Sequence, residues 1–482
     1  MTGTFSGLNT ALSALRYQQV VMDVASNNVS NVKTEGYVRR QAVAAEVGNT
    51  GQSAMYAFYD GHGDGVKTQS VQRVYDALID ARVRRENAKL SYLTTTQTIL
   101  SRVETAINEP GTSGINAAIS DFNASLQDLT SNPGGQSARQ TVVAKADALA
   151  AAIRTQSANI TDEAADQRSH AGTAVQQINA AASQLADLNR SIYTAENNGT
   201  DVGALYDQRD LVALSLAKLV GGQVTVASDG RYNVSVANAG GTPSTVALVT
   251  GDKASTLTMA TSATGDLSYS IGGTALNTAT GTLSGELGAV TDVVNDTLKT
   301  QKAALDTLAQ TLVTQLNAAN AAGKDKYGDA GGDLLAFGDP TDLAGSLKVA
   351  DAVVADPGLI AASANVNAPT PPATGPLGTN ANGGGPDEDG GNADKMSIAT
   401  TITSDYAAMV TSFGVKVAAV NTQTKNQTTL TSQVTDEQQQ LAGVNLDEET
   451  VNLVAAQHAY EAASKVIQTL DSILDTLINM KQ

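Results

Sequence analysis

The chain of 482 residues contains no cysteine and no tryptophan, and only five phenylalanines. Without cysteine, disulfide bonds, thiolate catalysis and Cys-based zinc or iron–sulfur sites are excluded. The shortage of aromatic side chains leaves few of the large platforms on which enzymes bind sugars. These absences exclude many enzyme classes before any motif is considered.

Basic residues are also scarce: 30 Lys and Arg face 48 Asp and Glu, which gives a net charge of −18. This charge repels phosphate backbones and anionic lipids, so we expect no nucleic-acid partner. No run approaches the roughly 20 apolar residues of a membrane span, so no membrane insertion is predicted either. The first residues lack the basic start and apolar core of a cleaved secretory signal. We therefore expect a protein that stays in the cytoplasm or leaves it without a cleaved signal.

Both ends of the chain carry apolar residues at alternating steps of three and four, the pattern of a coiled-coil seam. The N-terminal seam consists of Phe5, Leu8, Leu12, Leu15 and Met22. The C-terminal seam consists of Val451, Val454, Val466, Leu470, Ile473, Leu477 and Met480. Short isolated helices barely persist in water, so each stripe needs a partner. We predict that residues 1–35 and 441–482 pair into a discontinuous coiled-coil domain, and that the seam residues form an assembly interface.

A helical rhythm of apolar residues continues through much of residues 36–220 and 285–440, which predicts a long helical bundle body. Residues 221–284 instead alternate in short, β-rich runs bounded by glycine, as an all-β domain does. The strands are predicted over 223–227, 232–237, 245–250, 256–259 and 267–271. The predicted fold class is therefore mainly α, with paired terminal helices, a helical body and an inserted small outer β domain.

Within the body, the Gly- and Pro-rich stretch near residues 368–392 is too polar to pack and predicts a mobile surface loop. Its acidic cluster, residues 387–389, is expected to be solvated. The densest charge cluster in a helical context is residues 207–210. On a helix, Asp207 and Asp210 are neighbours while Arg209 points elsewhere, so we expect helix capping or salt bridges between helices rather than acid–base catalysis.

The three histidines lie far apart, and none has a second histidine at the spacing of metal ligands on a helix. His458 stands in the C-terminal seam, where a partly buried structural side chain is expected, whereas His62 and His170 are expected to be solvated. Residues 60–65 resemble the start of a calcium loop, but Val71 occupies the twelfth position in place of glutamate, so a turn is favoured. No catalytic, cofactor or metal site is predicted.

Two terminal motifs resemble the signatures of bacterial flagellar axial proteins. The N-terminal motif comprises residues 6–15 and 25–37, with the run Ala-Ser-Asn-Asn-Val-Ser-Asn, and the C-terminal motif comprises residues 443–449 and 460–470. Within this rod and hook superfamily, several internal segments resemble the hook-associated protein 1 family. These segments are residues 36–39, 71–76, 132–140, 188–192 and 205–211.

The resemblance implies a structural subunit of the bacterial flagellum, not an enzyme, that forms a ring of identical subunits at the junction of hook and filament. It implies contacts with the hook protein and with the second hook–filament junction protein. It also implies unfolded export through the type III export apparatus to the extracellular flagellum, with a cytoplasmic chaperone that binds the C-terminal helix before export.

Two alternatives remain open at this point. The first is another flagellar axial subunit, such as a hook, rod or second junction protein, which Tyr37 and residues 207–210 disfavour. The second is a hydrolase of cell-wall glycan that takes an Asp or Glu pair from the β insert or from the loop near Asp387. The shortage of aromatic side chains disfavours this enzyme.

Overall fold

Long helices make up most of the structure, a computed structural model that describes residues 2–47, 65–109, 111, 113–238, 244–364, 389–398 and 400–479. The helices are α1 (Thr2–Ser30), α2 (Ala77–Ile107), α3 (Ile115–Ser131), α4 (Gln136–Asn197), α5 (Gly203–Val220), α6 (Gly285–Asp292), α7 (Lys299–Ala321), α8 (Asp351–Ala355), α9 (Gly391–Lys395), α10 (Thr400–Ala442) and α11 (Leu446–Asn479). A π-helical segment, Val293–Leu298, joins α6 to α7, and Pro357–Leu359 form a 3₁₀ turn.

Local sequence explains where the body helices begin and end. Asp76 caps α2, since its carboxylate accepts hydrogen bonds from the backbone N–H groups of Leu78 and Ile79. Asn108 ends the same helix in the left-handed conformation, with φ of 51°. The apolar face of α4 is buried at steps of three and four along the whole helix. Burying each Leu or Ile contributes about 1.5–3 kcal/mol, so this face holds the bundle together.

A two-stranded ribbon lies between α1 and α2, within the residues 36–220 that the sequence analysis assigned to the helical body. Strand β1 (Arg40–Glu46) pairs antiparallel with β2 (Val66–Arg73), from Arg40 opposite Arg73 to Glu46 opposite Val66. The sequence did not predict β1 because it contains three alanines and one large apolar residue, too few for a visible alternation. A second short pair, β10 (Leu335–Phe337) with β11 (Leu347–Val349), also lies inside the body.

The inserted β unit has the strands that the sequence predicted, and the predicted fold class is confirmed. The strands are β3 (Gln223–Val226), β4 (Tyr232–Ala237), β5 (Thr245–Thr250), β6 (Lys253–Ala254), β7 (Leu257–Thr261), β8 (Leu267–Ile271) and β9 (Thr274–Ala275). They form one antiparallel sheet in the order β3-β4-β5-β6 and another in the order β7-β8-β9. Gly230 takes a positive φ of 78° in the turn between β3 and β4, as the Asp-Gly sequence indicates.

Asparagine side chains on the helices hold the β strands in place. Asn189 on α4 donates to the carbonyls of Tyr232 and Gly251 at 2.8 and 2.7 Å and accepts from the Tyr232 N–H at 3.1 Å. Asn179 bonds both backbone groups of Leu257. Each amide thus replaces a neighbouring strand, because it offers a donor and an acceptor like a peptide group. The β unit is therefore held against α4 by specific hydrogen bonds, in addition to its covalent connections.

The C-terminal end of the predicted mobile loop is packed, which corrects that prediction for residues 389–392. The Asp389 carboxylate accepts from the Ser363 hydroxyl and the Ala364 N–H at 3.0 and 2.9 Å, so it is not merely solvated. Asn392 is buried and donates to the carbonyls of Ala319 and Ala361. The rest of that stretch, residues 365–388, lies outside the described residues.

We predict that Asn189→Ala loosens the β unit without unfolding the helical body. The change leaves the Tyr232 N–H and two buried carbonyls without their partner, and each unsatisfied group costs about 1–3 kcal/mol. Hydrogen exchange at Tyr232 and along β5 should accelerate. Asn198→Ala, in the exposed turn after α4, is the matched control. Unchanged exchange in Asn189→Ala would contradict the docking role.

Candidate assembly surface

Helices α1 and α11 lie side by side, and we call them the terminal pair. The covered face of α11 follows a strict heptad, and Leu453, Ala456, Ala463, Ile467, Leu470 and Leu474 are buried or half-buried on it. On α1, the covered face includes Leu8, Ala11, Leu15, Met22 and Ala25. A Cβ added to Gly7 would lie 3.5 Å from Cδ1 of Leu470, so the two helices approach closely there. Small residues permit this spacing.

The residues predicted for the assembly interface fall into two groups. Leu8, Leu15, Met22 and Leu470 are half-buried in the terminal pair. Leu12, Val451, Val454, Val466 and Ile473 remain 40–67% exposed. Phe5 lies in α1 and Leu477 in α11, whereas Met480 lies outside the described residues. Helix α11 therefore has two apolar stripes: one is covered by α1, and the other, which we call the outer stripe, faces solvent.

The sequence interpretation missed the small residues of the covered face. Ala11 and Ala25 on α1 and Ala456 on α11 are less than 9% exposed. Alanines and Gly7 at heptad spacing from one another were the available signal, but a search for large apolar side chains passes over them. The prediction for His458 was also wrong: its imidazole is 74% exposed and lies 3.8 Å from the Glu461 carboxylate, because it points away from α1.

One buried asparagine connects the terminal pair to the ribbon. The Asn28 amide nitrogen donates to the Arg40 carbonyl at 2.9 Å and to the Glu449 carboxylate at 3.1 Å. Its oxygen accepts from the Tyr37 hydroxyl at 2.8 Å and from the Arg40 N–H at 3.1 Å. Burial raises the pKa of Tyr37, so this phenol stays a donor. We call this region, where α1, α11, the ribbon and α5 meet, the joint.

Arg39 fastens the start of α11 to the joint. Its guanidinium lies 2.9 Å from the Glu448 carboxylate and 3.0 Å from that of Glu449, which is buried. Its backbone N–H donates to the carbonyl of Ala442, the last residue of α10. Acidic residues are also favoured in the first turn of α11 by the helix dipole. The chain passes between the terminal pair and the body twice, once after α1 and once between α10 and α11. Arg39 lies in the first passage and bonds to the second.

Arg73 and two aspartates join the ribbon to the body. Its Nε lies 2.8 Å from the Asp207 carboxylate and its Nη2 lies 2.7 Å from that of Asp210, while Arg40 approaches Asp207 at 3.4 Å. The predicted salt bridges of residues 207–210 are thus present, but they reach the ribbon rather than another helix. Burial raises the pKa of Asp207 although two arginines face it. The cluster consequently contributes little net stability and serves mainly to fix geometry.

Arg209 points away from these aspartates, as predicted, and extends the joint into the β unit. Its guanidinium stacks 3.6 Å from the ring centre of Tyr232 and donates to the Gly230 carbonyl at 3.0 Å. The Tyr232 hydroxyl donates to Asp210 at 2.8 Å. Burial raises the pKa of Tyr232 to about 12. The joint thus touches the terminal pair, the body and the β unit.

Gly36 is required by the backbone path that leads into the joint. Its φ is 76°, and an added Cβ would lie 2.5 Å from Cγ of Leu211 on α5. The loop of residues 31–38 forms one wall of a cleft of about 630 Å³, whose other walls include Asp80, Val83 and Leu214. Burial raises the pKa of Asp80, which accepts a hydrogen bond from Gln438. The loop and the body thus enclose open space beside the joint.

The described parts of the chain hold no cluster of three or more His, Asp or Glu side chains placed to bind a metal ion. His170 is half exposed, with its Nε2 3.2 Å from the Glu286 carboxylate, whereas His62 and residues 60–64 lie outside the described residues. None of the described helices is both long and apolar enough to cross a membrane. The candidate site in the described structure is the outer stripe of α11, on which Val451, Val454, Val466 and Ile473 are 42–67% exposed.

Three family models match this chain. The flagellar hook-associated protein FlgK helical domain matches residues 100–335, the flagella basal body rod protein model matches residues 8–37, and the flagellar basal body rod FlgEFG protein C-terminal model matches residues 439–480. The two rod matches coincide with the terminal pair. Together these matches make the chain similar to axial proteins of the flagellar rod and hook.

Comparison with full-length relatives shows which proteins of this class the chain resembles over its whole length. The chain is 28% identical to flagellar hook-associated protein 1 of Bacillus subtilis (strain 168) over 99% of both chains, and 28% identical to that of Escherichia coli (strain K12) over 98% of this chain and 99% of the relative. The flagellar hook junction protein FlgK from Burkholderia pseudomallei has a similar fold, with a TM-score of 0.62 at 19% identity over 74% of this chain and 99% of that one. Over its full length the chain is therefore similar to flagellar hook-associated protein 1.

We predict that Tyr232 makes the fold sensitive to alkali. The neutral phenol is favoured on folding, so its contribution is complete below its unfolded pKa of about 10 and is lost as the pH rises through the folded pKa of about 12. Urea midpoints of the wild type should fall over this range more steeply than those of Tyr232→Phe, which retains the ring over Arg209. Parallel curves for the two proteins would contradict this role.

Proposed function

We propose that this flagellar protein is a structural subunit, without enzymatic activity, of the ring that joins hook to filament on the outside of the cell. Its partners in this role are further copies of itself, the hook protein and the second hook–filament junction protein. The observation that carries the proposal is the outer stripe of α11, which stays exposed after α1 has covered the opposite face. A helix with two apolar stripes needs a second neighbour.

We infer that three regions of the chain have different roles. Residues 1–35 and 441–482 form the assembly domain, residues 36–220 and 285–440 form the body, and residues 221–284 form the outer β domain. This division is supported by the joint, where the chain passes between the terminal pair and the body at both crossings. The seam residues, from Phe5 to Met22 and from Val451 to Met480, contact neighbouring subunits in the finished wall.

We also propose export of the unfolded chain through the type III export apparatus, with a cytoplasmic chaperone on the C-terminal helix beforehand. The absence of cysteine supports this route, because no disulfide can cross-link a chain that threads a narrow channel. A chaperone would cover the outer stripe, which otherwise leaves Val451, Val466 and Ile473 exposed to water.

A strain that lacks this protein should have hooks without filaments, and we predict that the wild-type chain restores filaments while Ile473→Asp does not. Ile473 is 42% exposed on the outer stripe, so a carboxylate there blocks contact with a neighbour and leaves the covered face intact. Leu470→Asp should fail as well, but by disrupting the terminal pair. Electron microscopy of hook ends and circular dichroism of the purified variants measure both effects.

The matched control is Val226→Asp, an exposed valine on the edge strand β3 of the outer β domain. It should support filaments as well as the wild type does. Motile cells with Ile473→Asp would refute the role of the outer stripe. Absence of hooks as well as filaments in the deletion strain would instead indicate a rod or hook subunit.

We predict that both ends of the free subunit exchange amide hydrogens much faster than the body. The covered face of the terminal pair includes the small residues Gly7, Ala11, Ala25, Ala456 and Ala463, and its contacts outweigh the ordering entropy only when neighbours add more. Hydrogen exchange of the purified monomer measures this, with the core of α4 as the internal reference. Slow exchange at both ends would show that the pair is stable alone.

A further inference from the structure

A mixed apolar and basic stripe lies on α2, just beyond the joint. Four of the 30 basic residues of this acidic chain fall between residues 82 and 89. Three of them share an exposed face with Leu78, since their spacing follows the helical repeat. We call this set the basic stripe: Leu78, Arg82, Arg85 and Lys89. Leu78 is 82% exposed, which is unusual for so large an apolar side chain beside an interdomain contact.

The basic stripe keeps excess positive charge. Arg82 lies 3.4 Å from the Glu437 carboxylate, while Arg85 and Lys89 share Glu86 at 3.0 and 3.5 Å. Three cations thus face two carboxylates. Exposed ion pairs of this kind contribute little and can exchange partners.

The first two turns of α11 carry the complementary chemistry, which we call the acidic stripe: Asp447, Glu448, Val451 and Val454. Arg39 is divided between Glu448 and Glu449, so the turn keeps excess negative charge. Val451 and Val454 are exposed. Neither stripe covers the other within one chain, since α2 packs along α10 and α11 packs along α1.

Along the direction from the terminal pair to the body, each stripe has its apolar residues first and its charged residues second. On α2, Leu78 lies nearest the joint and the cations lie farther into the body. On α11, which leads away from the body, the acidic residues lie nearest the joint and the valines lie farther out. A second copy displaced along the long axis therefore brings Leu78 against the valines and Arg82 and Arg85 against the carboxylates.

We propose that the basic stripe of one copy docks on the acidic stripe of the next copy. This inference rests on the proposed function, because it requires copies to assemble side by side. It adds a contact at the level of the joint to the contacts of the terminal helices. The two surfaces differ, so the contact is heterologous and builds a ring or a helix according to the rotation between copies.

The absence of native cysteine permits a direct test in cells that lack their own copy of the protein. Double variants combine Leu78→Cys with Asp447→Cys, Val451→Cys or Val454→Cys, and isolated hook–filament junctions are oxidised. Because disulfides need Cα atoms closer than about 7 Å, a ladder of covalent oligomers should form with at least one pair. Leu78→Cys with Val226→Cys, on the outer β domain, should give no ladder.

Filaments that form normally without a ladder from any of the three pairs would overturn this contact and leave the proposed function standing. Failure of the wild-type chain to restore filaments would instead overturn the proposed function.

A charge-reversal experiment tests the same contact independently of the disulfide cross-linking. Arg85→Glu should lower incorporation into the junction about tenfold, the effect of some 1.4 kcal/mol, and Asp447→Arg in the same chain should recover most of it. Arg190→Glu, which reverses an exposed charge on α4, is the control and should leave incorporation unchanged. Loss in Arg85→Glu that Asp447→Arg does not recover would contradict the pairing of these stripes.

Discussion

The Asn28 side chain is the constraint on which this architecture depends. An amide offers two donor hydrogens and an oxygen with two lone pairs, and all four sites are used here on three different partners. Those partners belong to β1, α11 and the loop before the ribbon. No other side chain of this size has the same donors and acceptors, so any substitution leaves buried polar groups without partners. The orientation of the terminal pair relative to the body is thus set by hydrogen bonds rather than by apolar packing.

Asparagine side chains also hold backbone groups in place elsewhere in the body. Asn179, Asn189, Asn295 and Asn317 bond both backbone groups of a strand residue. Asn320 donates to the Gly332 carbonyl and accepts from the Ala361 N–H. A helix has no free backbone groups along its length, so a strand cannot pair with it directly. An asparagine amide on the helix supplies the donor and the acceptor that a neighbouring strand would otherwise provide. This explains how a helical bundle with few aromatic residues holds β elements firmly on its surface.

Much of the fold could be predicted from the sequence, because it depends on periodicity. The strands of the β unit and the helical ends followed from alternation and from three/four spacing. No strand was predicted for the ribbon because β1 is rich in alanine. The buried alanines of the terminal pair, Ala11, Ala25 and Ala456, were missed because only large apolar side chains were considered. The joint could not be predicted, since Asn28 and Glu449 meet only after the whole fold is formed, and no local pattern records their pairing.

The contact between Asn28 and Glu449 spans 421 residues of chain. Proteins are synthesised from the N-terminus, so α1 emerges first and its partner α11 emerges last. Until α11 is synthesised, the face of α1 that includes Ala11 and Ala25 has no helix to cover it. A copy that ends before α11 therefore leaves the α11-facing side of α1 uncovered, and the terminal pair forms only in molecules that contain both helices.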